Sequence, residues 1–259
     1  MRIIAIIQAR LGSTRLPGKV LLDLQGKTVL EHVIDRVRAS KFINNIVVAT
    51  TILKKDLRIV NICSSNGISV YCGSENDVLD RYYQAAKLFN ADNIVRITSD
   101  CPLIDPLVID EVIKLHLQEN ADYTSNTIKE TYPDGQDTEI FTFEALKEAW
   151  KNANLISERE HVTPYIRKNQ AFKCVNLESK IILSHKRWTL DNPEDYDFIK
   201  IIYKNIYNKK HIFNMDEILE FINNNPEIER INQSITRNEG YLKSLKEDKI
   251  VKLEDINED

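Results

Sequence analysis

The chain has 259 residues, 42% of them hydrophobic and 29% charged, enough to bury a large core as one α/β domain or as a domain with an attached lobe. A formal net charge of -4 argues against a broad nucleic-acid surface while leaving room for a local cationic pocket. No apolar run approaches the roughly eighteen residues of a membrane span, the short apolar start lacks the features of a signal peptide, and the four scattered cysteines form no C-x-x-C pair, so the expected setting is the cytoplasm.

The first predicted element is a buried strand, Ile3 to Gln8. It stops at Ala9 in a loop that holds Gly12, Ser13 and Gly18 beside three cations, Arg10, Arg15 and Lys19, with no acidic residue among them. Glycine lets backbone N–H groups approach a ligand, and arginine and lysine supply charge-assisted hydrogen bonds, so this loop suits a nucleoside triphosphate. An ordinary turn with solvated cations is the alternative. A P-loop is excluded because Leu21 stands where the glycine preceding Gly26-Lys27-Thr28 is required, and no G-x-G-x-x-G follows the strand.

Val29, Leu30, Val33, Ile34 and Val37 then repeat at helical spacing, and Ile46 to Ala49 reads as the next strand, a unit that implies a parallel sheet. A helix over 56–64, a turn at Asn66-Gly67, a strand over 68–71 and a helix capped by Ser74 continue the alternation. The strand over 93–97 ends at Thr98-Ser99-Asp100-Cys101-Pro102, and Asp105-Pro106 opens a helix. This is the pattern of a doubly wound, mostly parallel α/β sheet, whose ligands gather beyond the carboxyl ends of its strands. From 121 to about 185 the texture changes to an inserted antiparallel element around Tyr132 to Asp137, expected to form the acceptor side. Arg187 to Asp191 then reads as a strand returning to the site, and Asn192-Pro193 begins a helix. The nucleotide domain is placed over 1–208, and residues 209–259 form a helical, charged extension that is an arm, a dimer contact or disordered chain.

The loop resembles the A-R-x-x-S-x-R-L-P-G-K signature of the cytidylyltransferases that make CMP-activated acidic sugars, matched by Ala9, Arg10, Ser13, Arg15, Leu16, Pro17, Gly18 and Lys19. Within that superfamily it is most similar to the spore-coat-polysaccharide group. The resemblance implies a nucleotide-diphospho-sugar transferase fold, transfer of CMP from CTP with release of pyrophosphate, and Mg²⁺ as cofactor. Carboxylates at strand ends before proline are also what a magnesium site needs, although aspartate there equally caps turns. Asp100 and Asp191 align with the family's metal aspartates in the blocks Ser99-Asp100-Cys101-Pro102 and Asp191-Asn192-Pro193-Glu194-Asp195.

Arg10, Lys19 and Asp100 are therefore the expected catalytic residues, with Ala9, Gly12, Ser13 and Arg15 completing nucleotide binding. Thr98-Ser99 replaces the glutamine and glycine usual before the first metal aspartate in the octulosonate and sialate enzymes, which leaves the acceptor open. Acceptor contacts are assigned to Asp134, Asp137, Glu139, Glu158, His161 and Arg187, groups that can hold hydroxyls, an ammonium or a carboxylate; solvated or capping roles are the alternative for the loop acids. The expected partners are CTP, a small sugar-like acceptor and a second copy of the chain in a homodimer, with neither nucleic acid nor membrane. A nucleotide-sugar-dependent glycosyltransferase would carry Asp-x-Asp at a strand end, and none stands there. A nucleotide-binding module without catalysis would have no need of the two aspartates.

Overall fold

In the computed structural model, which describes residues 1–209 and 211–251, the first strand β1 (Ile3–Gln8) leads through the phosphate-loop candidate into a 3-10 turn at Lys19–Leu21. A small hairpin, β2 (Asp23–Leu24) and β3 (Lys27–Thr28), precedes α1 (Val29–Arg38), where Thr28 and Glu31 form a reciprocal capping box. The alternation continues through β4 (Asn45–Thr51), α2 (Leu57–Ser65), β5 (Ser69–Gly73), α3 (Val78–Leu88), β6 (Asn93–Thr98) and α4 (Pro106–Glu119). Asp105 caps α4 from a position before proline, as its sequence order anticipates. The α3 cap differs from expectation. The carboxylate of Asp77 accepts from Asp80 N at 2.8 Å, whereas the Ser74 hydroxyl accepts from Asn76 N in a turn, because a carboxylate directly before the helix is better placed to take its free N–H groups.

The remaining elements are β7 (Tyr123–Ser125), β8 (Glu139–Thr142), α5 (Phe143–Asn152), α6 (Ile156–His161), α7 (Pro164–Lys168), β9 (Cys174–Asn176), α8 (Pro193–Ile206), α9 (Met215–Asn224) and α10 (Glu239–Lys246). Seven strands form one sheet in the order β5-β4-β1-β6-β8-β7-β9. Pairing among β5, β4, β1 and β6 is parallel, whereas β8 runs antiparallel to both β6 and β7. The antiparallel element foreseen after residue 121 therefore extends the main sheet.

Alternation along β1 explains the two layers. Ile3, Ala5 and Ile7 point to a core shared with α1, α2 and α4, while Ile4 and Ile6 point to a second core shared with α3 and α5. A third cluster unites Trp188, Leu190, Phe198, Ile199 and Ile202 with Phe213, Ile218, Ile222 and Ile228, so residues 213–228 of the extension pack against the domain that precedes them. Residues 187–191 add no strand to the sheet; they run extended and are joined to residue 134 by an isolated bridge. Buried Trp188 and Leu190 give this segment the apolar texture of a strand, but its backbone bonds go to loops, with Trp188 N donating to Asp134 O at 2.7 Å and Leu190 N to Asp100 O at 2.8 Å.

Strand order places the site. From β1 the chain winds outward through β4 to β5, then returns to the other side of β1 as β6, so the winding reverses between β1 and β6. The crevice beyond the carboxyl ends of those two strands is where an open α/β sheet collects ligands. Gln8 and Thr98 are partners in register at that point, which brings the segments beginning at Ala9 and Ser99 together.

Candidate active site

The loop after β1 is held at both ends. Leu11 N donates to the buried Asp56 carboxylate at 2.8 Å, and Gly18 N donates to Leu11 O at 3.3 Å. Gly18 has φ +70°, a left-handed conformation that glycine adopts without a Cβ penalty, and it turns the chain into the 3-10 turn that carries Lys19. The Lys19 side chain reaches beneath the loop, where Nζ donates to Asp100 Oδ2 at 2.7 Å and to Asp191 Oδ1 at 2.8 Å. The two carboxylate oxygens are thus no further apart than those distances added together. Sequence positions 100 and 191 meet because Leu190 N is bonded to Asp100 O, and the Tyr203 hydroxyl fixes the following turn by donating to Pro102 O at 2.6 Å.

Electrostatics bind these groups to one another. Burial pulls the Lys19 ammonium towards its neutral form, but Asp100 and Asp191 outweigh it and raise its pKa. Burial likewise opposes ionisation of Asp100, and Lys19 overcomes this to hold that carboxyl at about 2. Asp191 also meets Arg15 at 2.9 Å, and Arg187 lies 3.6 Å from its other oxygen. Arg10 makes no hydrogen bond or ion pair with the described residues; burial, and after it the charge of Arg10, pulls the pKa of Arg81 down. Two neighbouring cations of this kind favour an anion between the loop and α3. Ala9 is buried, and its N–H is spent on Ala49 O. A Cβ at Gly12 would lie 3.1 Å from Glu75 Oε1 and 3.2 Å from Lys55 Nζ. The Ser13 hydroxyl accepts from Leu16 N at 3.3 Å, which shapes the loop.

Beside this centre, Arg187 grips Asp195 with Nε and Nη2 at 2.8 and 2.9 Å and reaches Asp134 Oδ2 at 3.1 Å with Nη1. Asp195 in turn accepts the N–H groups of Asp191 and Asn192, at 3.0 and 2.9 Å, and so orients the metal-candidate loop. Gly135, at φ +104°, lets the acceptor-side loop lie against residues 188–189: a Cβ there would come within 2.6 Å of the Trp188 carbonyl carbon. Burial, then the charge of Asp137, pushes the Asp134 carboxyl up to about 7 against the pull of Arg237 and Arg187. The Asp137 side chain is 33% exposed, and partial burial raises its carboxyl less firmly than that of Asp134; Arg237 opposes the rise, and Glu139 and Glu130 add to it.

The other expected acceptor residues are turned to different work. Glu139 pairs with Arg96 across the sheet and accepts from the Tyr123 and Thr163 hydroxyls, each at 2.6 Å. Glu158 reaches back to Leu155 N at the start of its own helix. His161 bonds Ser244 at 3.0 Å, and burial draws its pKa down to about 4. The Glu139 and Glu158 carboxylates and His161 Nε2 thus have protein partners, which the sequence pattern of acids near a glycine turn cannot reveal.

Two groups have roles that the sequence did not assign to them. Asp195 was visible as the third residue of an Asn192-Pro193 helix start, the place of a reciprocal cap. Arg237 had no signal beyond its charge; its Nη2 donates to Asp137 at 2.8 Å, and its Nη1 donates to Tyr132 O at 3.2 Å.

A cationic loop and two facing aspartates at a sheet switch point suit nucleotidyl transfer, because such chemistry needs charge and alignment more than a reactive nucleophile. The sequence profile described as Cytidylyltransferase matches residues 4–233. This chain belongs to the cytidylyltransferase family. The cytidylyltransferase is 43% identical over 248 residues to an uncharacterized protein of Methanocaldococcus jannaschii, covering 93% of this chain and 98% of that one. It is 34% identical to the spore coat polysaccharide biosynthesis protein SpsF of Bacillus subtilis, over 87% of this chain and 95% of the relative. Among solved structures, a cytidylyltransferase from Leptospira borgpetersenii superposes with TM-score 0.84 at 38% identity, covering 91% and 98% of the two chains. The sheet is accordingly that of an α/β nucleotidyltransferase. Among the described residues, no helix of this cytidylyltransferase is long and apolar enough to cross a membrane.

Proposed function

We propose that this cytidylyltransferase transfers CMP from CTP to a hydroxyl of a small sugar-like acceptor, releasing pyrophosphate, and that the product feeds surface polysaccharide or glycoconjugate synthesis. In the reaction an acceptor oxygen forms a bond to the α-phosphorus, the bond from phosphorus to the pyrophosphate oxygen breaks with its electron pair leaving on pyrophosphate, and the hydroxyl proton passes to solvent. The observation that carries this reading is the Lys19 ammonium bonded at once to Asp100 and Asp191 beyond the ends of β1 and β6.

Each residue has a defined share of the work. Arg10, Arg15 and Lys19 bind phosphate oxygens, with Gly12 and Ser13 admitting the triphosphate close to the backbone. Asp100 and Asp191 fit a magnesium ion: two carboxylates converge on a position that already attracts a cation, and such an ion takes one or two carboxylates with phosphate oxygens and water. When bound, it supplies neutralisation of the triphosphate charge. Asp134 and Asp137 face the acceptor as hydrogen-bonding groups, and Arg187 positions Asp134 directly and Asp191 through Asp195. The protein acts in the cytoplasm, as a homodimer.

Resemblance to a spore-coat-polysaccharide protein supports the pathway class, and the family assignment supports CTP as donor. Incubation with each NTP, Mg²⁺ and a panel of acidic, amino and phosphorylated sugars, while pyrophosphate is followed, tests the proposal. It predicts release only with CTP and a subset of the sugars. Release from every NTP without any acceptor, or from none under all combinations, would overturn it.

A further inference from the structure

The chain beyond the family match at residue 233 crosses the mouth of the site. It is fixed at one end by buried Asn232, whose amide donates to Asp195 Oδ1 and Arg187 O, both at 3.0 Å. At the other end Asp248 accepts from Ser157 N and Oγ at 3.0 and 2.7 Å, and Ile250 bridges to Leu155. Between these anchors the segment places two charged side chains on the substrate groups. Arg237 lies among acids of the acceptor side, 2.8 Å from Asp137, 3.4 Å from Glu130 and 3.9 Å from Asp134. Two residues later, the carboxylate of Glu239 accepts from Arg15 Nη1 at 2.9 Å.

We propose that residues 233–247 form a clasp that the nucleotide displaces: Glu239 holds Arg15 in place of a phosphate, Arg237 holds Asp137 and Asp134 in place of the acceptor, and CTP opens both. The proposal rests on the assignment of Arg15 to the triphosphate. Three observations make the clasp movable. Both members of the Arg15–Glu239 pair are partly exposed, with side-chain accessibilities of 34% and 41%, and such pairs contribute little. A triphosphate carries several charges against the single charge of Glu239. Helix α10, which begins with Glu239, buries no residue in the core; it touches the domain through Ser244 with Glu160 and His161, and through the edge of Tyr241 against His161. Elements with so few buried contacts open at low cost. Because Arg237 and Glu239 are two residues apart, loss of the second contact loosens the first, and the acceptor acids become available after the nucleotide binds. Substrate order follows, CTP before acceptor.

Trypsin tests this directly, since cleavage after Arg237 requires that side chain to leave Asp137 and Glu130 and enter the protease. The full chain is digested with and without CTP and Mg²⁺, and the cut after Arg237 is followed by mass spectrometry. The expected result is cleavage faster by about five-fold with CTP, the factor set by one partly exposed ion pair. Glu239→Gln should be cut at the faster rate without nucleotide and should bind CTP about five-fold more tightly by calorimetry. Protection of Arg237 by CTP, an unchanged rate, or unaltered CTP affinity in Glu239→Gln would overturn the clasp. Arg15→Ala separates the two levels of the argument. Weaker CTP binding in that variant with no effect of Glu239→Gln removes the clasp alone, whereas unchanged binding removes the phosphate assignment on which it stands.

Discussion

Replacing Lys19 by methionine keeps the length of the side chain and deletes the cation between Asp100 and Asp191. Asp191 retains Arg15 at 2.9 Å and Arg187 at 3.6 Å, but Asp100 loses its one ion-pair partner among the described residues. Its carboxyl is held at about 2, by Lys19 foremost and also by the Thr98 hydroxyl and a backbone N–H, and with the Asp100 side chain 24% exposed the part that Lys19 supplies is about 1–2 kcal/mol. A depressed aspartate contributes stability above its unfolded pKa near 4, and loses it as pH falls towards the folded value near 2. Lys19→Met should therefore melt about 3–6 °C below the parent protein at pH 7 and converge with it towards pH 2. Magnesium without nucleotide should raise the melting temperature of the variant more than that of the parent, because the ammonium no longer competes for the two carboxylates. Turnover should fall about 10²–10³-fold. Differential scanning fluorimetry from pH 2 to 8, with and without Mg²⁺, provides the check. Equal melting of the two proteins at pH 7, or equal stabilisation by Mg²⁺, would refute the bridging role.

Asp100→Asn and Asp191→Asn should each lower turnover by about 10²-fold or more, while the double variant falls little further, since groups serving one centre are not additive; multiplicative losses in single-turnover assays would show two independent roles. The raised Asp134 carboxyl means that the folded protein keeps a proton the unfolded chain releases between about pH 4 and 7, so this group's contribution is lost as pH rises through 7. Asp134→Asn should flatten the decline in melting temperature between pH 5 and 8, and an unchanged decline would reject the assignment. Gly135→Ala combines an unfavourable φ with a backbone clash that no rotamer relieves, so urea unfolding should show a loss of about 2 kcal/mol or more; a change below about 0.5 kcal/mol would contradict the close approach to Trp188.

The parallel half of the fold was legible because its physics is local. Runs such as Ile3 to Ile7 followed by a glycine-containing loop, and Asp105 before Pro106, announce strand ends and helix starts within a few residues. Asp100 and Asp191 could be singled out for the same reason, since each closes an apolar run before a turn. What joins them is not local: Lys19 reaches residues 81 and 172 positions away, and only the strand order makes those distances short. Acceptor residues were harder to read. Asp134, Asp137 and Glu139 look alike in sequence, yet Glu139 lies in β8 opposite Arg96 and spends its charge inside the sheet, while Asp134 and Asp137 lie in the loop and face Arg187 and Arg237. Within the extension, Ile218 and Ile222 show helical spacing and pack into the core, but the chain beyond residue 233 gave no hint that it folds back onto the site, because the contacts that bring it there are single polar pairs between distant residues.

The most direct test of the account follows the α-phosphorus. With CTP labelled at that atom, Mg²⁺ and an acceptor chosen from the sugar panel, the reaction should place all of the transferred label in a CMP-linked sugar and leave the pyrophosphate unlabelled, with the yield reduced at least about 10²-fold in Lys19→Met. Label that stays in free CMP, or transfer that is as fast in Lys19→Met as in the parent protein, would contradict it.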